Sequence, residues 1–333
     1  MRNTGTMTVA TQLEILDLRH FSARQLRPLL EHEAKVWKER LRWNYESSTE
    51  LLLQYLDSRV LPGFVALDRG RIRGFTFCVY EGHKAVVGDA YALNENATIS
   101  LATSRNLLQH LLDLLLHSPN IERIESQLLL YDAGEIDEAF RAAGFVLFPR
   151  RFLELELHKG QHPRGVGQVF PQEIELAAWS ADDYHHAAEL IHLSYAGHID
   201  ALVNDQYRSL HGSLRFLHNI VRFPGCGVFA AHASWVLRDT STRALVGVVL
   251  CSDVGDRVAH VTQLCVAPAY RGHGLARLLM CHCEANLASA GFEAVTLTVT
   301  EANSQAMRLY DEMGFVTRHR FDATVFDKTK PAL

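Results

Sequence analysis

Apolar and polar positions follow the same succession of patterns twice along the chain. The first series begins with the alternating run LEILDL, continues with the helical period of SARQLRPLLEHEAKVWKERL, and ends with the strand-like RFLELEL. The second begins with EIELAAW and ends after Gly314 with another strand-like run. Both halves are predicted to have the order β, α, β, β, β, α, β, α, β. Ser22 and Ser180 precede the first helices and are predicted N-caps.

The repeat divides the chain near its middle. The segments AFRAAGFVLFPRRFLELEL and LYDEMGFVTRHRFDATVFD share a helix end, a glycine and a closing strand, with Gly144 and Gly314 in equivalent positions. Chance similarity is the alternative for a repeat this diverged. Glycine, proline and glutamine collect over residues 158–172, a composition typical of a linker. We therefore expect one domain over residues 1–157 and a second over 173–333.

Mixed strands and helices in this order predict the α/β class, with an α+β mixed sheet. Each half is expected to have a mostly antiparallel front and a parallel strand pair bridged by a long helix. The length of 333 residues also favours two domains, because single cores usually stop growing at a smaller size.

Composition narrows the classes of partner. The net charge of -5 argues against a protein that binds a nucleic-acid backbone. No apolar segment is long enough for a membrane span, and the opening has no signal-peptide core, so we expect a cytoplasmic protein without membrane partners. The six cysteines include no CxxC pair, and neighbouring Cys281, His282 and Cys283 would not face one way on a helix. No metal is expected.

The segment APAYRGHGLARLL places glycines and an arginine at a predicted helix start. Free backbone N–H groups there, with the positive end of the helix dipole, favour an anion such as phosphate. Arg271 adds a fixed charge and forked donors. The spacing lacks the third glycine of a dinucleotide fingerprint and the GK[ST] of a P-loop.

The spacing does match the pyrophosphate loop of the GCN5-related N-acetyltransferases (GNAT), in which Gln or Arg is followed by two residues, Gly, one residue, and Gly or Ala. Here Arg271, Gly274 and Ala276 occupy that pattern. The downstream AVTLTVTEANSQAMRLYDEMGF resembles a second family motif, carried by Asn303, Ala306, Tyr310, Gly314 and Phe315. The resemblance is strong over about residues 245 to 320 and implies two tandem GNAT-like domains, similar in architecture to mycothiol synthase.

The resemblance implies acetyl-coenzyme A, or another acyl-coenzyme A, as the donor. The backbone of the strand before the loop would hold the pantetheine arm and carbonyl, and Asn303 would fix that arm. Tyr310 matches the usual general acid, although it could also simply pack its helix, and Asn303 could also cap that helix. The implied strand residues are Leu264, Cys265 and Val266. The implied loop residues are Arg271, Gly272, His273, Gly274, Leu275 and Ala276.

A general base is harder to predict. His260 and Gln263 lie where family members often carry a base or a residue that orders water, and neither is a carboxylate. Cys265 has no visible basic neighbour to form its thiolate, so we interpret it as a packed thiol.

The first half lacks both chemical parts. At its equivalent loop, NENATISLATSRN has no arginine and no glycine pair, and Glu95 places a negative charge near the helix start. Phe140 stands where the second half has Tyr310. We therefore expect a degenerate N-terminal domain that has lost catalysis and donor binding, and that shapes the acceptor site or braces the active half.

The resulting hypothesis is an N-acetyltransferase that acts on the amine of a small molecule or peptide by direct transfer in a ternary complex. A non-catalytic acyl-coenzyme A binding or sensing protein is the alternative, and an interaction protein in which the loop is only a helix start is the third. The acceptor would lie near Asp200, Asp205 and Tyr207, which could contact a cation, although an exposed, solvated loop is the alternative for this segment. The expected partners also include a second copy of the chain.

Overall fold

The computed structural model describes residues 13–93, 96–158, 173–222 and 227–329. The N-terminal half contains strands β1 (Glu14–Asp17), β2 (Gly63–Asp68), β3 (Arg71–Glu81), β4 (Lys84–Ala92), β5 (Arg123–Gln127) and β6 (Val146–Glu156). Its helices are α1 (Ala23–Leu41), α2 (Glu46–Asp57), α3 (Ala97–Leu116) and α4 (Asp137–Ala142).

The C-terminal half repeats this order with additional short elements. Its strands are β7 (Ile174–Ala178), β8 (Val228–Phe229), β9 (Trp235–Asp239), β10 (Leu245–Asp253), β11 (Val258–Val266), β12 (Ala294–Thr300) and β13 (Val316–Asp327). Its helices are α5 (Tyr184–Ser194), α6 (Asp200–Val203), α7 (Leu210–Arg222), α8 (Leu275–Ser289) and α9 (Ser304–Met313). The expected linker falls almost entirely outside the described residues.

Local sequence explains how the first helices start. Ser22 precedes α1 and forms a capping box in which its backbone N–H donates to Gln25 Oε1 at 2.9 Å. Ser180 caps a short 3-10 turn, Ala181–Asp183, that leads directly into α5. Both predicted caps therefore stand at the entrances of their helical regions.

All the strands in the described part of the chain belong to one sheet. The order is β1-β2-β3-β4-β5-β13-β6-β12-β11-β10-β9-β7, and β8 pairs with β10. The neighbours β4–β5 and β11–β12 are parallel, and the other described pairs are antiparallel. The mixed α/β class predicted from the sequence is confirmed, including a parallel pair in each half that is bridged by a long helix.

The closing strands of the two halves are exchanged, which the sequence did not predict. β13 lies between β5 and β6, while β6 lies between β13 and β12. The last strand of each half therefore completes the sheet of the other half. Residues of β6 consequently lie beside β12, in the part of the sheet next to the loop predicted to bind phosphate.

Alternation along β6 separates two faces of the sheet. Phe152 packs edge-on against Trp43, which follows α1, with ring centroids 6.1 Å apart. Its neighbour Leu153 belongs to the core that contains Leu297 and Phe315. Because successive residues of a strand point to opposite faces, Arg150 shares the face of Phe152, while Arg151 points to the other.

Candidate functional site

An opening between β11 and β12 leads into a cavity. The two strands pair from Val258 with Ala294 to Val261 with Leu297, and no pairing is recorded between them beyond that point. β11 stays bonded to β10 as far as Val266. One edge of its last residues is therefore open, and a cavity of about 750 Å³ lies beside it.

The residues predicted to hold a pantetheine arm lie at this edge. Leu264, Cys265 and Val266 all line the cavity. Tyr195 approaches the Leu264 carbonyl with its hydroxyl at 3.5 Å. A strand with free backbone groups can bind an extended, amide-containing chain as a further strand would bind.

The loop at the start of α8 lies at one end of the cavity. Gly272 and Gly274 both have left-handed backbones, with φ of 82° and 76°. A Cβ at Gly272 would meet no atom within 4 Å, and Gly274 precedes a helix that has no side-chain cap. Among the described residues, no group accepts a hydrogen bond from the N–H groups of residues 272–276. This is the unsatisfied donor set that an anion at a helix N-terminus requires.

The side chain of Arg271 binds two backbone carbonyls, a structural role that the sequence did not predict. Its Nε donates to the Val266 carbonyl at 3.1 Å, and its Nη2 donates to the Ser194 carbonyl at 2.6 Å. Its backbone N–H donates to the Pro268 carbonyl at 3.3 Å. The side chain thus ties the loop to β11 and to the end of α5, and its backbone N–H does not belong to the free set. His273 is exposed and does not line the cavity.

Tyr310 lies on α9 with its ring buried in the wall of the cavity. Burial and the negative charge of Asp200 raise the pKa of its phenol well above the ordinary value, so the hydroxyl carries its proton at neutral pH. The ring packs edge-on against Phe315 at 5.5 Å. The packing role and the chemical role weighed for this residue are therefore compatible.

Asn303 and Asp200 form a polar group next to Tyr310. The Asn303 Oδ1 caps α9 by accepting from Ala306 N at 3.2 Å, and its Nδ2 lies 3.5 Å from Asp200 Oδ2. Asp200 Oδ1 accepts from Thr300 Oγ1 at 2.5 Å, and His198 Nδ1 lies 3.4 Å from the other oxygen. Asp200 lines the cavity as a carboxylate held at the end of β12.

Gln263 does not have the geometry of a base. Its Oε1 accepts from the Tyr207 hydroxyl at 3.2 Å, and its Nε2 donates to the Tyr195 hydroxyl at 3.0 Å. The two tyrosine rings stack with centroids 4.1 Å apart. Gln263 therefore positions the segment between α5 and α7, and its amide cannot take a proton at neutral pH.

His260 is also a poor base in this structure. Thr296 Oγ1 donates its only proton to the Ala259 carbonyl, so it accepts from His260 Nδ1 at 2.9 Å, and Nε2 is the unprotonated nitrogen. Burial, together with the positive charge of Arg150, lowers the pKa of His260 to about 3. Because so weak a base competes poorly for an amine proton, the structure does not support the predicted role.

The first strand of the parallel pair has a β-bulge in both halves, but in the N-terminal half a tyrosine side chain occupies the opening beside it. β4 shifts register opposite Phe77 and Cys78, as β11 does opposite Leu250 and Cys251. The Tyr131 hydroxyl donates to the Ala90 carbonyl at 2.9 Å, on the strand equivalent to β11. The pocket beside Tyr131 has a volume of about 10 Å³.

The free N–H groups at the start of α3, the equivalent helix of the N-terminal half, already bind a side chain. The Asn96 side chain accepts from the N–H groups of Thr98 and Ile99 at 3.0 and 3.3 Å. These are donors that the equivalent helix α8 leaves free. Phe140 packs edge-on against Phe145 at 5.2 Å, so the aromatic pair of Tyr310 and Phe315 is reproduced without the hydroxyl. Glu95 lies outside the described residues.

Two cavity residues come from the N-terminal half and were missed by the sequence analysis. Gln127 ends β5 and Arg150 lies on β6, and both line the cavity beside β12. Their presence depends on the exchanged strands, for which the sequence carries no local signal. Within the described ranges, no cluster of His, Cys, Asp or Glu is arranged to hold a metal ion, and no helix is long and apolar enough to cross a membrane.

Comparison with known proteins agrees with this geometry. Residues 199–315 match the model of the acetyltransferase (GNAT) family. None of the curated proteins matches the chain significantly. A GCN5-related N-acetyltransferase from Sphaerobacter thermophilus has a TM-score of 0.66 at 13% identity, covering 96% of this chain and 97% of that one.

Two further solved structures share the fold. A tandem GNAT protein from the clavulanic acid biosynthesis pathway has a TM-score of 0.58 at 15% identity, with 95% and 99% of the two chains covered. A GCN5-related glucosamine N-acetyltransferase region of a fungal multi-domain β-N-acetylglucosaminidase has a TM-score of 0.63 at 14% identity, covering 96% of this chain and 38% of that one. Residues 199–315 thus resemble the GNAT family, and nearly the whole length of the chain has the GNAT acyltransferase fold.

Proposed function

We propose that the chain transfers an acyl group from acetyl-coenzyme A, or a related acyl-coenzyme A, to the amine of a small molecule or peptide. Both substrates would be bound together, with the chemistry in the C-terminal half. One observation carries the proposal: free N–H groups at a helix start, an open strand edge and a protonated tyrosine line one cavity. This combination suits a long donor with phosphates at one end and a reacting carbonyl at the other.

The donor fits the residues present. The N–H groups of residues 272–276 would hold its pyrophosphate, and the open edge at Leu264 to Val266 would hold its pantetheine arm. Gly272 has the open space that phosphate oxygens need near the backbone. When bound, the donor supplies the acyl group as a thioester. Arg271 keeps the loop in place through its two carbonyl contacts.

Tyr310 would stabilise the leaving sulfur. A thiol has an ordinary pKa of about 8.5, below that of a phenol, so full proton transfer from Tyr310 to the thiolate is uphill. A hydrogen bond from the phenol O–H to the sulfur already lowers the energy of the developing negative charge. Raising the pKa of Tyr310 keeps this donor available at every physiological pH.

Asp200 is the carboxylate that we assign to the amine. Thr300 and Asn303 hold one oxygen each, and the residue lines the cavity. As the C–N bond forms and the C–S bond breaks, Asp200 would accept a proton from the amine while Tyr310 donates a hydrogen bond to the sulfur. The thiolate then takes a proton from the solvent, and Asp200 releases the amine's proton to the solvent, so that amide and free thiol are formed and the carboxylate is regenerated.

The N-terminal half would contribute to the acceptor site without binding a donor of its own. Its helix start is capped by Asn96, and its opening is filled by Tyr131. We keep the division into residues 1–157 and 173–333 as the proposed domains, with the closing strands exchanged between them.

Calorimetry with acetyl-coenzyme A tests donor binding first. Gly274→Glu should abolish binding, because it adds charge and bulk at the phosphates and strains a left-handed position. Gly70→Glu is the matched control, since Gly70 also has a left-handed backbone with open space, in a turn of the other half. Unchanged affinity in Gly274→Glu would refute the assigned location, and no binding by the native chain would refute the proposal.

Release of free thiol over a panel of amines tests catalysis. Tyr310→Phe should keep donor affinity and lose most turnover, because only the hydroxyl is removed from a packed ring. Undiminished turnover would remove Tyr310 from the mechanism. Donor binding without turnover on any amine would favour the alternative of a non-catalytic acyl-coenzyme A sensor.

A further inference from the structure

A cation from the N-terminal half lines the proposed acyl-transfer cavity. Arg150 lies on β6, directly opposite Thr300 of β12 in the antiparallel register. Its guanidinium donates from Nη2 to Thr298 Oγ1 at 3.3 Å, and from Nη1 to the Gln127 side chain. Both partners are neutral and line the cavity with it. The side chain is therefore fixed in position without being neutralised.

No carboxylate among the described residues lies within ion-pair distance of Arg150. Its Nε–H is buried and has no hydrogen-bond acceptor there. The next residue shows the contrast, because Arg151 Nε lies 2.8 Å from Glu301 Oε1 on the opposite face of the strand. A half-buried charge that keeps an unsatisfied donor costs stability unless something else occupies it.

Arg150 and Asp200 place opposite charges along one strand of the cavity. Arg150 contacts Thr298, and Asp200 contacts Thr300, two residues further along the same face of β12. Two residues of a strand span about 7 Å. The cavity thus offers a carboxylate beside Tyr310 and a guanidinium about one small-molecule length away.

We propose that the acceptor is an amine that also carries a carboxylate, and that Arg150 binds this carboxylate while Asp200 receives the amine. The proposal rests on the acyltransferase function above. Gln127 and Thr298 use one N–H on each terminal nitrogen of Arg150, which leaves one on each and the Nε–H. A planar carboxylate can accept two such parallel donors, a geometry that a guanidinium favours.

Matched pairs of amines test this inference. L-phenylalanine against phenethylamine and L-lysine against cadaverine isolate the carboxylate, and β-alanine against 2-aminoethylphosphonate compares it with a tetrahedral anion. We expect kcat/KM to be at least about tenfold higher for the carboxylated member of the first two pairs, as for loss of a charged hydrogen-bonded contact, and higher for β-alanine in the third. Preference for the decarboxylated amines, or for the phosphonate, would overturn the assignment.

Variants of Arg150 locate the effect. Arg150→Met should lose about tenfold or more on the carboxylated amines and little on their decarboxylated partners, with the KM for acetyl-coenzyme A unchanged. Arg150→Lys should recover part of the loss, because it restores the charge without the fork. Arg151→Met is the matched control on the opposite face and should leave the preference intact. An unchanged preference in Arg150→Met would refute the proposal.

Direct binding keeps this test separate from the test of function. Calorimetry of the amine pairs against the coenzyme A complex reads the carboxylate preference even when no product forms. Failure of acetyl-coenzyme A to bind refutes the acyltransferase proposal, whereas turnover or binding that ignores the carboxylate refutes only the role of Arg150. If Arg150→Met fails to fold, as judged by thermal melting, Arg150→Lys decides: its preference should fall, and full retention of that preference would refute the role of the fork.

Discussion

Replacing Glu284 with glutamine should stabilise the protein increasingly as the pH rises. Glu284 lies on α8 and is buried, and its Oε1 has no hydrogen-bond partner among the described groups. Burial raises its pKa to about 8, although the positive charge of Arg277 acts in the opposite direction. The folded protein therefore holds a proton at neutral pH that the unfolded chain has released.

The size of the effect follows from the two pKa values of Glu284. A shift from the ordinary 4.5 to about 8, at 1.36 kcal/mol per pKa unit, corresponds to about 5 kcal/mol. Because the pKa of Glu284 is higher in the folded state than in the unfolded state, its titration costs no stability below pH 4.5. The free energy of unfolding then falls by about 1.4 kcal/mol per pH unit until the pH passes 8. A glutamine at this position does not titrate and escapes this loss.

Urea unfolding followed by tryptophan fluorescence, at pH 5.5, 7 and 8.5, measures the prediction. The difference in free energy of unfolding between the variant and the native chain should increase, in favour of the variant, by roughly 3 to 4 kcal/mol from pH 5.5 to pH 8.5. Titration of other buried acids, such as Glu33 and Asp89, whose pKa values are also raised by burial, cancels in this difference. Glu39→Gln, an exposed change on α1, should give a curve parallel to that of the native chain.

Parallel curves for the native chain and Glu284→Gln would refute the reasoning. They would mean that Glu284 is ionised in the folded state at neutral pH, or that water reaches it. A variant that is less stable at every pH by the same amount would instead show that the native carboxyl makes a specific contact, independent of its charge.

Three further changes give separate predictions. Asn96→Ala should lower the free energy of unfolding by about 1 kcal/mol in urea denaturation, because it removes the cap of α3, and should leave acetyl-coenzyme A affinity unchanged in calorimetry. Arg271→Met should weaken that affinity by about tenfold or more and lower the melting temperature, because the loop loses two carbonyl contacts. Residues 1–157 or 173–333 expressed alone should lack cooperative thermal unfolding, whereas their co-expression should restore it. A stable isolated half would contradict the exchanged strands.

Periodicity was sufficient to predict the fold class, and loop chemistry predicted a helix start with free N–H groups, whose binding of an anion stays a prediction. Alternating strands and amphipathic helices are local patterns, so the strands and long helices of each half could be predicted without knowledge of their partners. The order was incomplete, because α2 follows α1 in the first half, and α6 and α7 follow α5 in the second, where one helix was predicted. The sequence placed Gly272 and Gly274 at a predicted helix start, and the structure adds that both have left-handed backbones, which few other residues adopt.

Side-chain roles at the site depended on contacts that the sequence does not display. His260 lies on the predicted strand, but Trp43 from the other half packs edge-on against its ring at 4.9 Å and contributes to its burial. Gln263 lies where predicted and is held by two tyrosines from the segment between α5 and α7. The pKa of a histidine and the partners of an amide are set by such long-range packing, so strand position alone could not assign a base.

The exchange of strands also changes what degeneracy means for the N-terminal half. A half that had only lost its donor site would have a purely structural role, and any substitution compatible with its core would be tolerated. Here β6 crosses into the part of the sheet formed by the C-terminal half and places Arg150 in the cavity. A half-buried guanidinium without a carboxylate partner lowers the stability of the folded protein. Acceptor binding would explain why this destabilising residue is present, because the acceptor would supply the missing partner. The first half would then supply acceptor recognition and the second half donor binding and chemistry, so that neither half alone contains the complete site.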